Sequence, residues 1–252
     1  MFSQNPASSR ERAAPTGDSL PVRLTTWHDA ARLILIGAPI ATVTTLVCVF
    51  WVDLPLATWL HGHGWDSHAW MRWLMVTPIV LVPMAGLYLL VHVLRRSRGS
   101  VSRHEHVAFV LCSGLLVSQE IKDMLKRAFG RTWPRDVSDL GTAPPSADCA
   151  PASLGYINDG LHSFTLFAGA TKPFQAFPSG STSALLTVAL PIMVLYPRTR
   201  LPLGVFLLAS LSSLVITNTH FLGDIFGGVY VGAVAACICL AALGAPREER
   251  SN

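Results

Sequence analysis

The stretch LILIGAPIATVTTLVCVFWV, Leu33–Val52, runs for 20 residues without a charge between Arg32 and Asp53. As an α-helix it is about 30 Å long, the thickness of a bilayer's hydrocarbon core. It has no polar stripe of the kind a helix on a soluble domain carries. The same reading applies to Trp73–Leu94, closed by Arg72 and Arg95. Four further stretches extend the pattern. A third begins near Val107, stays uncharged to Gln119, and continues through Glu120, Lys122, Asp123, Lys126 and Arg127 with no Gly or Pro before Gly130, so its outer end is polar helix. Ser181–Pro197, Leu201–Thr219 and Ile225–Pro246 follow. The fold expected is all-α, a bundle of six transmembrane helices over residues 31–246, with tails at 1–30 and 247–252 and a long loop at about 128–180.

Whole-chain composition agrees. In 252 residues, 51% are apolar, 13% are charged, and the mean hydropathy is +0.44, which excludes a disordered chain, a collagen and a coiled coil. The net charge of +4 comes from Arg at the ends of apolar runs, a pattern of membrane orientation, and no nucleic-acid partner is expected. Arg10, Arg12, Arg23 and Arg32, then Arg95, Arg96, Arg98 and Arg103, then Arg198 and Arg200, then Arg247 and Arg250 fall on one side of a six-span layout. That side is expected to be cytoplasmic. The first thirty residues mix Arg, Glu, Ser and Pro without an isolated apolar core, so they read as a disordered cytoplasmic tail and not a signal peptide. The protein is therefore expected in a bacterial inner or plasma membrane, with no obligate protein partner.

This layout carries three polar clusters to the opposite, periplasmic or extracellular face. Ionisable groups at membrane depth are costly, which makes Lys122, Asp123, Lys126 and Arg127 at the end of span three a candidate site. Phe177-Pro178-Ser179-Gly180-Ser181-Thr182 opens span four, where the unpaired N–H groups and positive end of a helix suit an anion. His220 and Asp224, four residues apart, lead into span six; a carboxylate beside an imidazole fixes its tautomer and stabilises its cation. Glu120 is the one acid expected deep in a span, and the placement of charges at helix ends argues against a transporter.

At these residues the chain resembles the type 2 phosphatidic acid phosphatases, the PAP2 or lipid phosphate phosphatase and haloperoxidase superfamily, over about Leu33–Leu243. Members have six spans and the motifs K-x6-R-P, P-S-G-H and S-R-x5-H-x3-D. Here Lys126 and Pro134 keep the first, with Trp133 at its Arg position and Arg131 or Arg135 as substitutes; a bacterial subgroup carries such a G-R-T-W-P variant. Pro178-Ser179-Gly180 matches the second, with Ser181 at its His. Ser213, His220 and Asp224 match the third, with Leu214 at its Arg.

The resemblance implies hydrolysis of a lipid head group's phosphomonoester or pyrophosphate through a phosphohistidine, without metal or other cofactor. It implies His220 as nucleophile and Asp224 as its orienting carboxylate. Lys126, Arg131, Ser179, Gly180 and Ser181 are the expected phosphate ligands. The missing family His leaves the general acid open; His162 and Lys172 are candidates. The alternative is a weakened member that binds lipid phosphate without efficient turnover. The substrate is expected to be a lipid phosphate among membrane lipids, of unspecified identity.

Other signals read as structural. His61, His63, Asp66 and His68 are set among Trp51, Trp59, Trp65, Trp70 and Trp73, an interfacial aromatic belt rather than a metal cluster. Gly228 and Gly232, with Gly227, have the spacing of a close helix contact. Asp123 and Arg127 are spaced for an intrahelical pair. The five cysteines include no C-x-x-C pair, and Cys149 reads as a free thiol.

Overall fold

The computed structural model describes residues 26–96, 102–134 and 163–244, and among them it is helical with no strand. Arg135, Cys149, His162, residues 1–25 of the expected N-terminal tail and the whole expected C-terminal tail at 247–252 lie outside the described residues. Helix α1 is Trp27–Val47, followed by a π-helical turn at Cys48–Val52 and α2 at Asp53–Gly62. After two short 3₁₀ segments come α3 at Val76–Arg96 and α4 at Arg103–Phe129. The bundle is completed by α5 at Gly180–Leu195, α6 at Arg200–Ile216 and α7 at Leu222–Gly244.

Local chemistry sets the helix ends. Thr26 with Asp29 and Ser102 with Glu105 form reciprocal capping boxes at the starts of α1 and α4. The first helix therefore begins inside the segment expected as tail. It also does not end at Asp53: the helical run continues to Gly62. The π turn explains how. The Asp53 N–H donates to Cys48 O, five residues back, and Pro55 then falls in the first turn of α2, where a missing N–H is tolerated. A charge after an apolar run read as the end of a span, whereas here it is a residue turned into the interior.

Four runs are long and apolar enough to cross a membrane: Trp27–Gly62, Trp73–Arg95, Pro197–Ile216 and Leu222–Gly244. Helix α5 is apolar but has 16 residues, below the ~20 that a full crossing needs. Helix α4 has 27 residues, yet its polar outer half keeps it out of that group. The lipid-facing sides of α3 and α6 expose Ile79, Leu90 and Val93, and Leu201, Val205 and Leu208. The exposed Trp51, Trp59, Trp65, Trp70 and Trp73 sit around the α2–α3 connection.

Helix α7 is the centre of the bundle and packs on α5, α1 and α4; α4 in turn packs on α3 and α5. The α5–α7 contact is backbone-close. A Cβ at Gly228 would lie 2.6 Å from Ser179 O, and one at Gly232 would lie 2.8 Å from Leu186 Cβ. Leu185, Leu186, Ala189 and Leu207 fill the space between α5 and α6, and Ala85, Leu115 and Ala184 join α3, α4 and α5.

The loop after α4 is folded back by main-chain bonds. Gly130 ends α4 in the left-handed region at φ 53°, Thr165 N donates to Gly130 O, Arg131 N to Phe174 O, and Ala176 N to Arg131 O. A Cβ on Gly130 would meet Thr165 O at 2.1 Å. Gly130→Ala is therefore expected to destabilise the detergent-solubilised protein by about 1–3 kcal/mol. Gly62→Ala, with no heavy atom within 4 Å of the new methyl, is expected to stay within about 0.5 kcal/mol. Thermal unfolding of both variants beside the wild type checks the pair.

Candidate active site

The turn between α6 and α7 is built to present one imidazole. Leu214 O accepts the N–H groups of both Thr219 and His220, Thr217 Oγ1 donates to Ser213 O, and Asn218, left-handed at φ 51°, donates from Nδ2 to Ala57 O. Asp224 follows in the first turn of α7. Its Oδ2 accepts from Phe221 N at 3.1 Å and lies 3.3 Å from His220 Nδ1. With Nδ1 directed at the carboxylate, Nε2 is the ring nitrogen left for reaction.

His220 lines a cleft of about 360 Å³ together with Lys122, Lys126, Gln119, Trp133, Gly180 and Ser181. Its remaining wall is apolar, from Pro78, Ile79, Val82 and Pro83 of α3 and Ala184 of α5. Lys126 is buried, donates from Nζ to Gln175 O at 2.5 Å, and lies 4.9 Å from the centre of the Trp133 ring. The Trp133 ring is itself 4.7 Å from that of His220. Gly180 and Ser181 supply first-turn N–H groups of α5, which have no acceptor inside a helix. The absence of a side chain on Gly180 matters because a Cβ there would meet Lys122 Cδ at 2.7 Å. Gln119 Nε2 donates to Ser183 Oγ at 3.2 Å and ties α4 to the same turn. Three sources of positive potential, two ammonium groups and a helix N-terminus, thus face one histidine.

Of the expected phosphate ligands, Lys126, Gly180 and Ser181 line the cleft, whereas Arg131 and Ser179 have other partners. Ser179 is fully buried as the N-cap of α5: its Oγ accepts from Thr182 N and Thr182 Oγ1, and its N–H donates to Asp224 O at 3.0 Å. Arg131 is also fully buried. Its Nη1 donates to Asp224 Oδ1 at 2.6 Å and its Nη2 to Asp53 Oδ2 at 2.5 Å, while the guanidinium carbon lies over the rings of Phe221 and Phe164. A guanidinium so far from water is held by its two carboxylates rather than by a ligand.

Several other expectations change. Glu120 is exposed on the surface of α4, and among the described residues the buried acids are Asp53, Asp66 and Asp224. Asp123 pairs with its neighbour Lys122, at 2.7 Å, and not with Arg127. Lys172 is exposed and away from the cleft, and only its carbonyl meets the site, accepting from Trp133 Nε1 at 3.2 Å. His61 Nδ1 lies 2.7 Å from Asp66 Oδ2, an exposed imidazole paired with a buried carboxylate. Leu214, at the family's Arg position, is buried in the helix core. Sequence reading missed Asp53, taken as the end of a span, and Gln119, taken as the last uncharged residue before the polar helix end.

His220 is 4% exposed. Burial lowers its basicity below the ordinary imidazole value; the Asp224 carboxylate opposes this, and the charges of Lys126 and Arg131 reinforce it. The ring is consequently neutral at neutral pH, the form a nucleophile needs. Burial also acts on Arg131, but Asp224 and Asp53 outweigh it and hold the guanidinium charged.

A buried imidazole oriented by a carboxylate, facing two ammonium groups and a helix N-terminus, suits covalent transfer of a phosphoryl group. Comparison with known proteins agrees with this chemistry at the level of family. The PAP2 superfamily model matches residues 107–247, which takes in α4, the following loop, α5, α6 and α7. No curated protein and no solved structure matches the chain. The matched segment is more than half of the chain and contains every polar side chain that lines the cleft with His220, and so this helical membrane protein belongs to the PAP2 superfamily, a family of phosphatase-type function.

Proposed function

We propose that the protein is a lipid-phosphate phosphatase that hydrolyses a phosphomonoester or pyrophosphate of a lipid head group through a phosphohistidine. One observation carries this reading: the cleft is cationic at His220 and apolar along α3, so a phosphate and the chain attached to it have separate walls. Helices α4 and α5 complete six spans, and the cleft opens to the periplasmic or extracellular side.

In the first step the lone pair of His220 Nε2 attacks phosphorus and the bond to the leaving oxygen breaks. Asp224 stabilises the imidazole as it gains positive character. Lys126, Lys122 and the N–H groups of Gly180 and Ser181 take up the negative charge on the phosphoryl oxygens. Water then attacks the phosphohistidine, the N–P bond breaks, and inorganic phosphate leaves with the water's oxygen. Ser181 stands where the family's general acid would be, so substrates that leave without a proton, such as pyrophosphates, are favoured. Arg131 and Ser179 act here by holding Asp224 and α5, not by touching phosphate.

Phosphate release by the purified protein from a panel of lipid monophosphates and pyrophosphates is expected to survive EDTA and to vanish in His220→Ala. Lys126→Ala is expected to lower kcat by about 10²- to 10³-fold, the cost of losing one transition-state donor. Equal release from the wild type and His220→Ala overturns the reading. Silence of the wild type across the panel, with Lys126-dependent binding of lipid phosphate, supports instead a binder that the substitutions at Trp133, Ser181 and Leu214 have disabled.

The lowered basicity of His220 fixes the sign of a second test. The neutral nucleophile exists above its folded pKa and is lost as pH falls through it. The acid limb of kcat/KM is therefore expected below the ordinary histidine value of about 6.5. Ser181→His, which restores an acid, is expected to raise turnover of monoesters more than of pyrophosphates, by up to about 10²- to 10⁴-fold.

A further inference from the structure

Among the described residues, the most deeply buried charges form a chain that ends on His220. Asp53 Oδ1 accepts from Gly223 N at 2.9 Å and its Oδ2 from Arg131 Nη2 at 2.5 Å. Arg131 Nη1 reaches Asp224 Oδ1 at 2.6 Å, and Asp224 Oδ2 faces His220 Nδ1. The side chains of Asp53, Arg131 and Asp224 have no exposure to solvent, and that of His220 is 4% exposed. The fold makes room for this arrangement at two places. The π turn at Cys48–Val52 holds one residue more than an α turn, and one residue rotates a helix face by about 100°. At Gly223, a Cβ would lie 2.8 Å from Asp53 Oδ2 and 3.2 Å from Arg131 Nη1, so the carboxylate can approach α7 only because that position has no side chain.

We propose that Asp53 is a positioning residue of the site, holding Arg131 against Asp224 and giving the buried Asp53–Arg131–Asp224 array one net negative charge behind His220. Without Asp53 the guanidinium would neutralise Asp224 outright, and the imidazole would face a carboxylate with no surplus charge. The groups facing His220 are Asp224 from α7, Arg131 and Trp133 from the loop after α4, Lys122 and Lys126 from α4, and the first turn of α5 at Gly180 and Ser181. Asp224 is the only acid among them, so the balance behind His220 turns on whether Asp53 neutralises Arg131. Nothing in the three family motifs includes a residue of the first helix. The kinetic part of this inference rests on the phosphatase reading, and the charge part does not.

The test is Asp53→Asn in the full chain in detergent, which keeps the side chain's shape and one acceptor oxygen, for either Gly223 or Arg131, while the charge is gone. NMR titration of the ¹³C-labelled His220 ring, assigned with His220→Gln, is expected to move down by about one pH unit, with kcat falling about 10-fold or more and KM changing less than about twofold. The double variant Asp53→Asn with Arg131→Gln again leaves one net negative charge, and is expected to return the titration toward the wild-type position. A titration and kcat unmoved by Asp53→Asn overturn the proposal and leave Asp53 a structural tie. If Asp53→Asn does not fold, the double variant decides alone: a titration near the wild-type position supports the charge balance, and one displaced downward overturns it. A wild type without phosphatase activity whose His220 titration still follows Asp53 refutes the phosphatase reading and keeps this one.

Discussion

A guanidinium sealed from water between two carboxylates is the interaction on which the rest of this structure depends. Removing one partner from a buried ion pair costs about 3–5 kcal/mol, because the other charge is left unpaired in a medium that solvates it poorly. Arg131 joins three parts of the chain that are remote in sequence: Asp53 after α1, its own loop after α4, and Asp224 at the start of α7. Its backbone makes a second set of ties to Phe174 and Ala176. The loop, the first helical run and the central helix are therefore fastened at one point beside His220. Hydrophobic packing alone would not fix this arrangement, since much of the bundle's apolar surface faces lipid whichever way the helices pair.

Much of the architecture was legible in the sequence, because hydrocarbon thickness is a strict ruler and apolar runs are measured against it. Helices α3, α6 and α7 appear close to the stretches read as spans, and α4 runs to Gly130 because no earlier residue stops it. The pairing of His220 with Asp224 was legible from their spacing, as was a close helix contact at Gly228 and Gly232, though not that its partner is α5. Long-range charge pairing was not. Asp53 stands at the end of an apolar run, where an acid is ordinary, and its partner lies beyond two further helices. The π turn that rotates it inward leaves no mark in the pattern of apolar residues.

The altered motif positions acquire physical content from their surroundings. Trp133, where the family has Arg, puts an indole between Lys126 and His220. Aromatic faces attract ammonium groups, so the ring holds Lys126 in place although it contributes no charge of its own. Leu214 removes a cation from α6, while its carbonyl still shapes the turn that carries His220. With Trp133 and Leu214 at two arginine positions, the cationic side chains lining the cleft are Lys122 and Lys126, and Arg131 is held in the interior. A guanidinium in the cleft would bind phosphate in two-pronged fashion; two ammonium groups bind it as point charges and place fewer demands on its orientation.

The hydrogen bond from Ser179 N to Asp224 O, together with the side-chain-free contact at Gly228, joins the start of α5 directly to the start of α7. One of these helix ends brings the Gly180 and Ser181 amides to the cleft and the other carries the Asp224 carboxylate beside His220. No flexible side chain lies between them to absorb a change in spacing. A change in the spacing of this helix pair therefore acts on both halves of the site at once.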